Sequence, residues 1–195
     1  MKEQVVGVLL AGGASRRFGS PKAFADVEGK RFYQLSLEAL QPTVETIIVV
    51  TSEQLEKSYA ASSRTTIIRD VEKYAGKGPL AGLYSAMLEI KADWYAIAPV
   101  DVPFIRPAIY YELLSQRKPE NEAIISVANG RVQPLIALYH YSLKARIREL
   151  LETSRLSMQD LLDLAEVNYT QFVDGTPFIN INRQQDYERH IRNRS

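Results

Sequence analysis

The chain has 195 residues, enough for one domain with a sizeable core and too few for two independent ones. Its 24 Lys plus Arg against 23 Asp plus Glu give no global field for nucleic acid or an anionic membrane, so any polyanion must be held by a local cluster. With no cysteine and only two histidines, disulfides, thiolate chemistry, zinc-thiolate sites and a histidine-rich metal centre are all excluded.

In chain order, Met-Lys-Glu-Gln precedes the apolar run Val5–Leu10, which Gly7 interrupts and which is too short for a ~20-residue membrane span. No signal-peptide cleavage pattern follows, and the expectation is a soluble cytoplasmic protein. Further runs rich in β-branched residues recur at Thr46–Val50, Thr66–Ile68, Trp94–Val100 and Ala123–Val127. Helical patterns separate them at Phe32–Leu40, Glu53–Ala61, Leu80–Ile90 and Ala108–Gln116, with Pro79 and Pro107 at helix starts. This alternation predicts an α/β fold of three layers, a parallel sheet between helices. After Val127, Asn129-Gly130 signals a tight turn and Pro134–Tyr141 reads as a strand returning antiparallel, so the central sheet is mostly parallel but mixed. Ser142 fits the N-cap of a helix to about Leu151, Ser157-Met158-Gln159-Asp160 resembles a capping box, and Val167–Val173 returns to strand. No repeat or linker divides the chain, and 1–195 reads as a single domain.

Chemistry concentrates where the first strand ends. Open parallel sheets bind ligands outside the carboxyl ends of their strands. There Gly12 and Gly13 bare the backbone N–H groups, and Arg16, Arg17 and Lys22 add positive charge, which together describe a polyphosphate site. The bland alternative is an ordinary turn whose basic residues face water. Neither the dinucleotide-binding spacing G-x-G-x-x-G nor the P-loop spacing G-x-x-x-x-G-K-[ST] is present. Asp101 follows the run Trp94–Val100 at the carboxyl end of an apolar strand. A carboxylate there suits Mg²⁺, a hard cation that takes one or two carboxylates plus phosphate and water oxygens. An Asp opening a turn before Pro103 is the plainer account. Asp70 ends another strand on the same side, where an ion pair with Arg69 or Lys73 competes with a role in binding. Gly76-Lys77-Gly78-Pro79 opens a helix whose N-terminus can receive an anion or a base edge, or is simply a flexible loop.

The stretch "LAGGASRRFGSPKA" resembles the signature L-A-G-G-x-S-x-R-[MF]-G-x-x-K-A of nucleotidyltransferases of the molybdenum cofactor guanylyltransferase type. "RDVEKYAGKGPLAGL", "APVDVPF", "QPLIALY" and "FININ" match in order along the chain. The resemblance implies a Rossmann-like nucleotidyltransferase fold and transfer of GMP from GTP to molybdenum-bound molybdopterin. It implies Leu10, Ala11, Gly12, Gly13 and Asp70 at the nucleotide, Asp101 as a magnesium ligand, and Asn180 and Asn182 near the acceptor. In such a reaction Lys22 and Arg16 are the cations expected to meet the charge that develops on the leaving phosphates. It also implies a partner protein that inserts the product into enzymes, while the charge balance leads to the expectation of no nucleic-acid or membrane partner.

Relatives that transfer a cytidylyl group read L-A-A-G at the first loop, and Gly12-Gly13 leaves room for a purine, so guanine is expected. Asn182-Arg183-Gln184-Gln185 also fits a capping box for the last helix, and Gln133, Pro134, Tyr139 and His140 are more simply core or surface. Ser20-Pro21-Lys22 departs from the Asp-Lys common among guanylyltransferases and leaves a sugar phosphate or other small phosphate open as acceptor. A nucleotide-binding module without turnover and a dinucleotide-dependent oxidoreductase are the rivals of other classes.

Overall fold

A computed structural model of the chain describes residues 3–13, 18, 19 and 21–192. Arg16 and Arg17 lie outside the described residues.

The first strand, β1 (Val5–Leu10), is followed by a small hairpin, β2 (Asp26–Val27) and β3 (Lys30–Arg31), then α1 (Phe32–Leu40) and β4 (Thr46–Thr51). β5 (Thr65–Arg69), α2 (Pro79–Glu89), β6 (Trp94–Pro99) and α3 (Pro107–Ser115) complete the alternating half. β7 (Ala123–Ala128), β8 (Arg131–His140), α4 (Lys144–Glu152), α5 (Met158–Leu162), β9 (Val167–Phe172) and α6 (Gln184–His190) follow. The seven-stranded sheet runs β5-β4-β1-β6-β8-β7-β9. Every pairing is parallel except those of β8, which runs antiparallel to β6 and β7. One face packs under α2, α4 and α5 and the other under α1 and α3, which makes three layers. Among the described residues no helix is long and apolar enough to cross a membrane.

The chain leaves β1 for β4 and β5 on one side, then returns to β6 on the other. β1 is thus the switch point, with Leu10 opposite both Val50 and Pro99. At Asn129 and Gly130 φ is 50° and 67°, the twist a two-residue hairpin requires, and Ala128 pairs with Arg131. β8 therefore starts before the expected Pro134. Proline has no N–H for the ladder, and the register shifts where it sits, from Ile125↔Ala137 to Ser126↔Gln133.

Two helix expectations also fail here. The segment Glu53–Ala61 is no α-helix but a single 3-10 turn at Glu56–Ser58. Tyr59 is drawn inward between Phe24 and Tyr33, while Arg69 of β5 grips Glu53 and Glu56. Ser142 does not cap α4. The His140 ring accepts from the Ser142 N–H ahead of a 3-10 turn, Tyr141–Leu143, and Ser142 Oγ donates to Glu122. Ser157 does cap α5, its Oγ accepting from Gln159 N at 3.1 Å, but the expected box is only half made, with Asp160 paired to Arg155 instead.

Candidate functional site

The carboxyl end of β1 is fixed by backbone alone: Ala11 N donates to Val50 O at 2.8 Å and Ala11 is buried. A Cβ on Gly12 would make only ordinary contact, 3.6 Å from Thr51, and one on Gly13 would meet nothing within 4 Å. Packing within the protein does not demand these two glycines. What they leave bare is room beside the peptide for something that is not protein. The downstream end of the loop is anchored by Phe18, which packs edge-on against Tyr187 of α6 and beside Phe32 of α1. A 3-10 turn, Lys22–Phe24, then turns Lys22 inward until it is 8% exposed.

A buried ammonium needs partners. Lys22 Nζ lies 3.1 Å from Asp101 Oδ2 and donates to Asn182 Oδ1 at 2.7 Å. The three residues stand 79 and 160 positions apart in the chain and meet at the tips of β1 and β6. Asn182 is presented there because Ile181, fully buried with Phe18 and Phe32, donates its N–H to Asp101 O at 2.8 Å. Asn180 and Asn182 flank Ile181 and are both exposed, as extended backbone requires, although the segment joins no strand. The capping box expected at Asn182 is absent. Asp186 Oδ2 accepts from the backbone of Asn182 and Arg183, so the Asn182 amide is released from capping and aimed at Lys22.

The other Asp101 oxygen, Oδ1, is buried and has no hydrogen-bond partner among the described residues. An orphaned carboxylate oxygen in this position fits one corner of a Mg²⁺ shell. Among the described residues there is no group of three or more His, Cys, Asp or Glu that could hold a metal. The donor set suits a cation carried mostly by phosphate and water oxygens, not a dedicated protein cage.

Asp70 follows β5 at the far side of the switch. Neither suspected cation pairs with it: Arg69 binds Glu53 and Glu56, and Lys73 binds Glu152. Its Oδ2 accepts from Gly76 N at 3.2 Å. Burial pushes the carboxyl above the usual carboxylate range, against the opposing pull of that N–H. Gly82, in the first turns of α2, is a position the sequence reading passed over. A Cβ there would lie 2.7 Å from Leu10 Cδ2 and 3.8 Å from Asp70 Oδ1, so its absence lets α2 press onto the ends of β1 and β4 beside Asp70. Phe18 and Ile181 were missed as well, because they act by anchoring and carry no reactive group.

Three strand spacings separate β5 from β6, roughly 14 Å. The sheet top therefore offers a polar acid at one end, a Cβ-free glycine pair in the middle and a cation-carboxylate pair at the other. Lys77 is turned away, donating to Leu151 O at 3.0 Å. Tyr139 is buried with its hydroxyl on Pro134 O, and His140 packs on Trp94.

The MobA-like NTP transferase domain matches residues 7–168. The chain is 40% identical over 190 residues to a probable molybdenum cofactor guanylyltransferase of Halalkalibacterium halodurans, covering 93% of this chain and 94% of that one. It is 36% identical to a protein of the same description from Geobacillus sp., covering 95% and 97%. In structure it is similar to molybdopterin-guanine dinucleotide biosynthesis protein A of Archaeoglobus fulgidus, with a TM-score of 0.79, 24% identity and coverage of 96% and 97%.

Proposed function

The chain belongs to the MobA-like NTP transferase family and is a nucleotidyltransferase, and from that premise we propose that it joins GMP from GTP to the terminal phosphate of molybdenum-bound molybdopterin, in the cytoplasm. An oxygen of the acceptor phosphate forms a bond to the α-phosphorus, and the bond from that phosphorus to the bridging oxygen breaks. Pyrophosphate leaves with the electron pair. A phosphate monoester already carries its charge, so no general base is required, and the work is alignment and neutralisation.

The observation that carries this reading is the buried Lys22 ammonium held between Asp101 and Asn182 at the tip of the switch-point strands. Lys22 supplies a fixed positive charge where the leaving oxygens gain negative charge, assisted by Arg16. Asp101, through Oδ1, would hold Mg²⁺, which when bound neutralises phosphate oxygens. Leu10, Ala11, Gly12 and Gly13 lie along the nucleotide, and Asp70 takes polar N–H or O–H groups at the far end. Asn180 and Asn182 face the acceptor, where Asn182 also orients Lys22. A Cβ-free peptide at Gly12-Gly13 admits a purine, and selection of guanine comes from hydrogen bonds that leave other bases unpaired.

The test is pyrophosphate release from each nucleoside triphosphate in turn, with and without Mg²⁺, with molybdenum-bound molybdopterin as acceptor. Release with GTP and Mg²⁺ alone supports the proposal. Equal release from ATP, or turnover confined to a sugar phosphate acceptor, ends it.

A further inference from the structure

The segment from Val71 to Gly78 joins β5 to α2 and carries the Gly76 N–H that meets Asp70. Gly76 and Gly78 have φ of 75° and 81°, a region L side chains rarely adopt. Apart from the turn closed by Lys77 N donating to Tyr74 O at 3.0 Å, the side-chain ties made by the neighbours of Gly76 decide where its N–H points. On both sides those ties reach the carboxyl end of α4. Tyr74, before Gly76, is 3% exposed, lies edge-on to Tyr84 of α2 at 5.6 Å, and donates its hydroxyl to Glu152 Oε1 at 3.1 Å. Lys77, after Gly76, donates to Leu151 O at 3.0 Å, where the helix dipole favours a cation. Its ammonium also lies 5.5 Å from the centre of the Tyr74 ring. Gly76 is thus pinned from both sides by a helix that follows it in the chain by some seventy residues. The Lys73–Glu152 pair beside it has side chains 65% and 47% exposed and contributes little.

We propose that Tyr74 and Lys77 are positioning residues that set the affinity for the nucleotide: by docking their loop on α4 they hold the Gly76 N–H against Asp70 and so fix the direction of its carboxylate. The inference rests on Asp70 as a nucleotide contact. Their polar groups are spent on α4, so they act on ground-state binding and not on the chemical step.

The full chain, with GTP as the probe, allows a decisive cycle: Kd for GTP by calorimetry without acceptor, KM and kcat with acceptor, and Tm, for Lys77→Met, Tyr74→Phe, Asp70→Asn and Lys77→Met combined with Asp70→Asn. Lys77→Met is expected to raise Kd and KM about tenfold, the size of one misdirected hydrogen bond to a carboxylate, with kcat within about twofold. Tyr74→Phe is expected to move both the same way, and Lys73→Met to change Kd less than about twofold. In the Asp70→Asn background the further effect of Lys77→Met should be under about twofold, because the two act on one contact. Unchanged Kd in both positioning variants, a fall in Tm with Kd retained, or full additivity overturns the positioning role while Asp70→Asn still weakens GTP. If Asp70→Asn itself leaves Kd unchanged, the reading of Asp70 falls first and takes this inference with it. Should Lys77→Met fail to fold, Tyr74→Phe, which keeps the buried ring, and Glu152→Gln carry the same comparison.

Discussion

Lys22 has two duties that single substitution confounds. It neutralises Asp101 inside the fold, and in the proposed reaction it faces the leaving phosphates. Lys22→Met strands a carboxylate whose side chain is 22% exposed, so it is expected to cost about 3 kcal/mol of stability as well as ~100- to 1,000-fold in kcat. Lys22→Met combined with Asp101→Asn removes both charges and should recover most of the lost Tm without recovering pyrophosphate release. Undiminished pyrophosphate release from Lys22→Met, read below its lowered Tm, would reduce Lys22 to a structural cation. Asp70 permits a test of the opposite kind. Burial raises its folded-state pKa, so the folded chain holds that proton more tightly than the unfolded one. The associated stability is present below the unfolded carboxylate range and lost as pH rises through the folded pKa. At neutral pH the ionised group is a cost, and Asp70→Asn should leave Tm equal or higher while weakening GTP about tenfold or more. A lower Tm at pH 7 with GTP affinity unchanged would make Asp70 a structural acceptor for Gly76 and nothing more. Asp101 stood out in the sequence because it follows an apolar strand, and Lys22 because basic residues crowd the glycine-rich loop. The hydrogen bond from Lys22 to Asn182 was not legible, since Asn182 also fits a cap and only the fold shows Asp186 doing that work.

Elements set where these residues stand, and one carboxylate ties several together. Glu122, just before β7, accepts from Arg146 of α4, from Ser142 Oγ at 3.0 Å and from Glu166 N at 3.3 Å. Desolvation pushes its carboxyl up, but the Arg146, Ser142 and Glu166 contacts outweigh it and the pKa falls below the usual range. The stability this supplies is therefore present above the unfolded value and is lost as pH falls through the folded one. Glu122→Gln should cost about 1 kcal/mol in urea unfolding at neutral pH, the partly exposed Arg146 limiting the gain, and the gap to wild type should close in acid. A gap that persists below the carboxylate range would assign the loss to shape instead of charge. The same cross-chain ties explain what was unreadable at this scale. Strands such as Val5–Leu10 and the helix Phe32–Leu40 announce themselves through local apolar pattern. Glu53–Ala61 has a helical pattern too, but Arg69 and the Tyr59 aromatic cluster lie beyond any local window and override it. The expected start of β8 failed likewise, because Pro134 reads as a strand boundary when it is an interior bulge.

Across the whole molecule, each face of the sheet is covered by residues from both ends of the chain. One core joins Val6 and Val8 of β1 to Leu161 and Leu162 of α5, and the other joins Leu9 to Phe178. No cut through the sequence separates a self-sufficient core, and the Lys22–Asn182 contact closes the two ends over the sheet. The expected consequence is a single cooperative unfolding unit. Trp94, the lone tryptophan, offers a local probe: it is 2% exposed at the start of β6, the strand beside the switch point, and lies edge-on to His140. Its fluorescence reports the centre of the sheet, whereas far-ultraviolet circular dichroism is dominated by the surrounding helices. In urea the two signals should move together with one midpoint, and GTP with Mg²⁺ should shift both by the same amount, since a ligand placed as proposed across β1, β5 and β6 stabilises the unit as a whole. Two midpoints would divide the chain into separately folding parts. The later part would then be stabilised by nucleotide alone, which a site assembled from Lys22, Asp70, Asp101 and Asn182 does not permit.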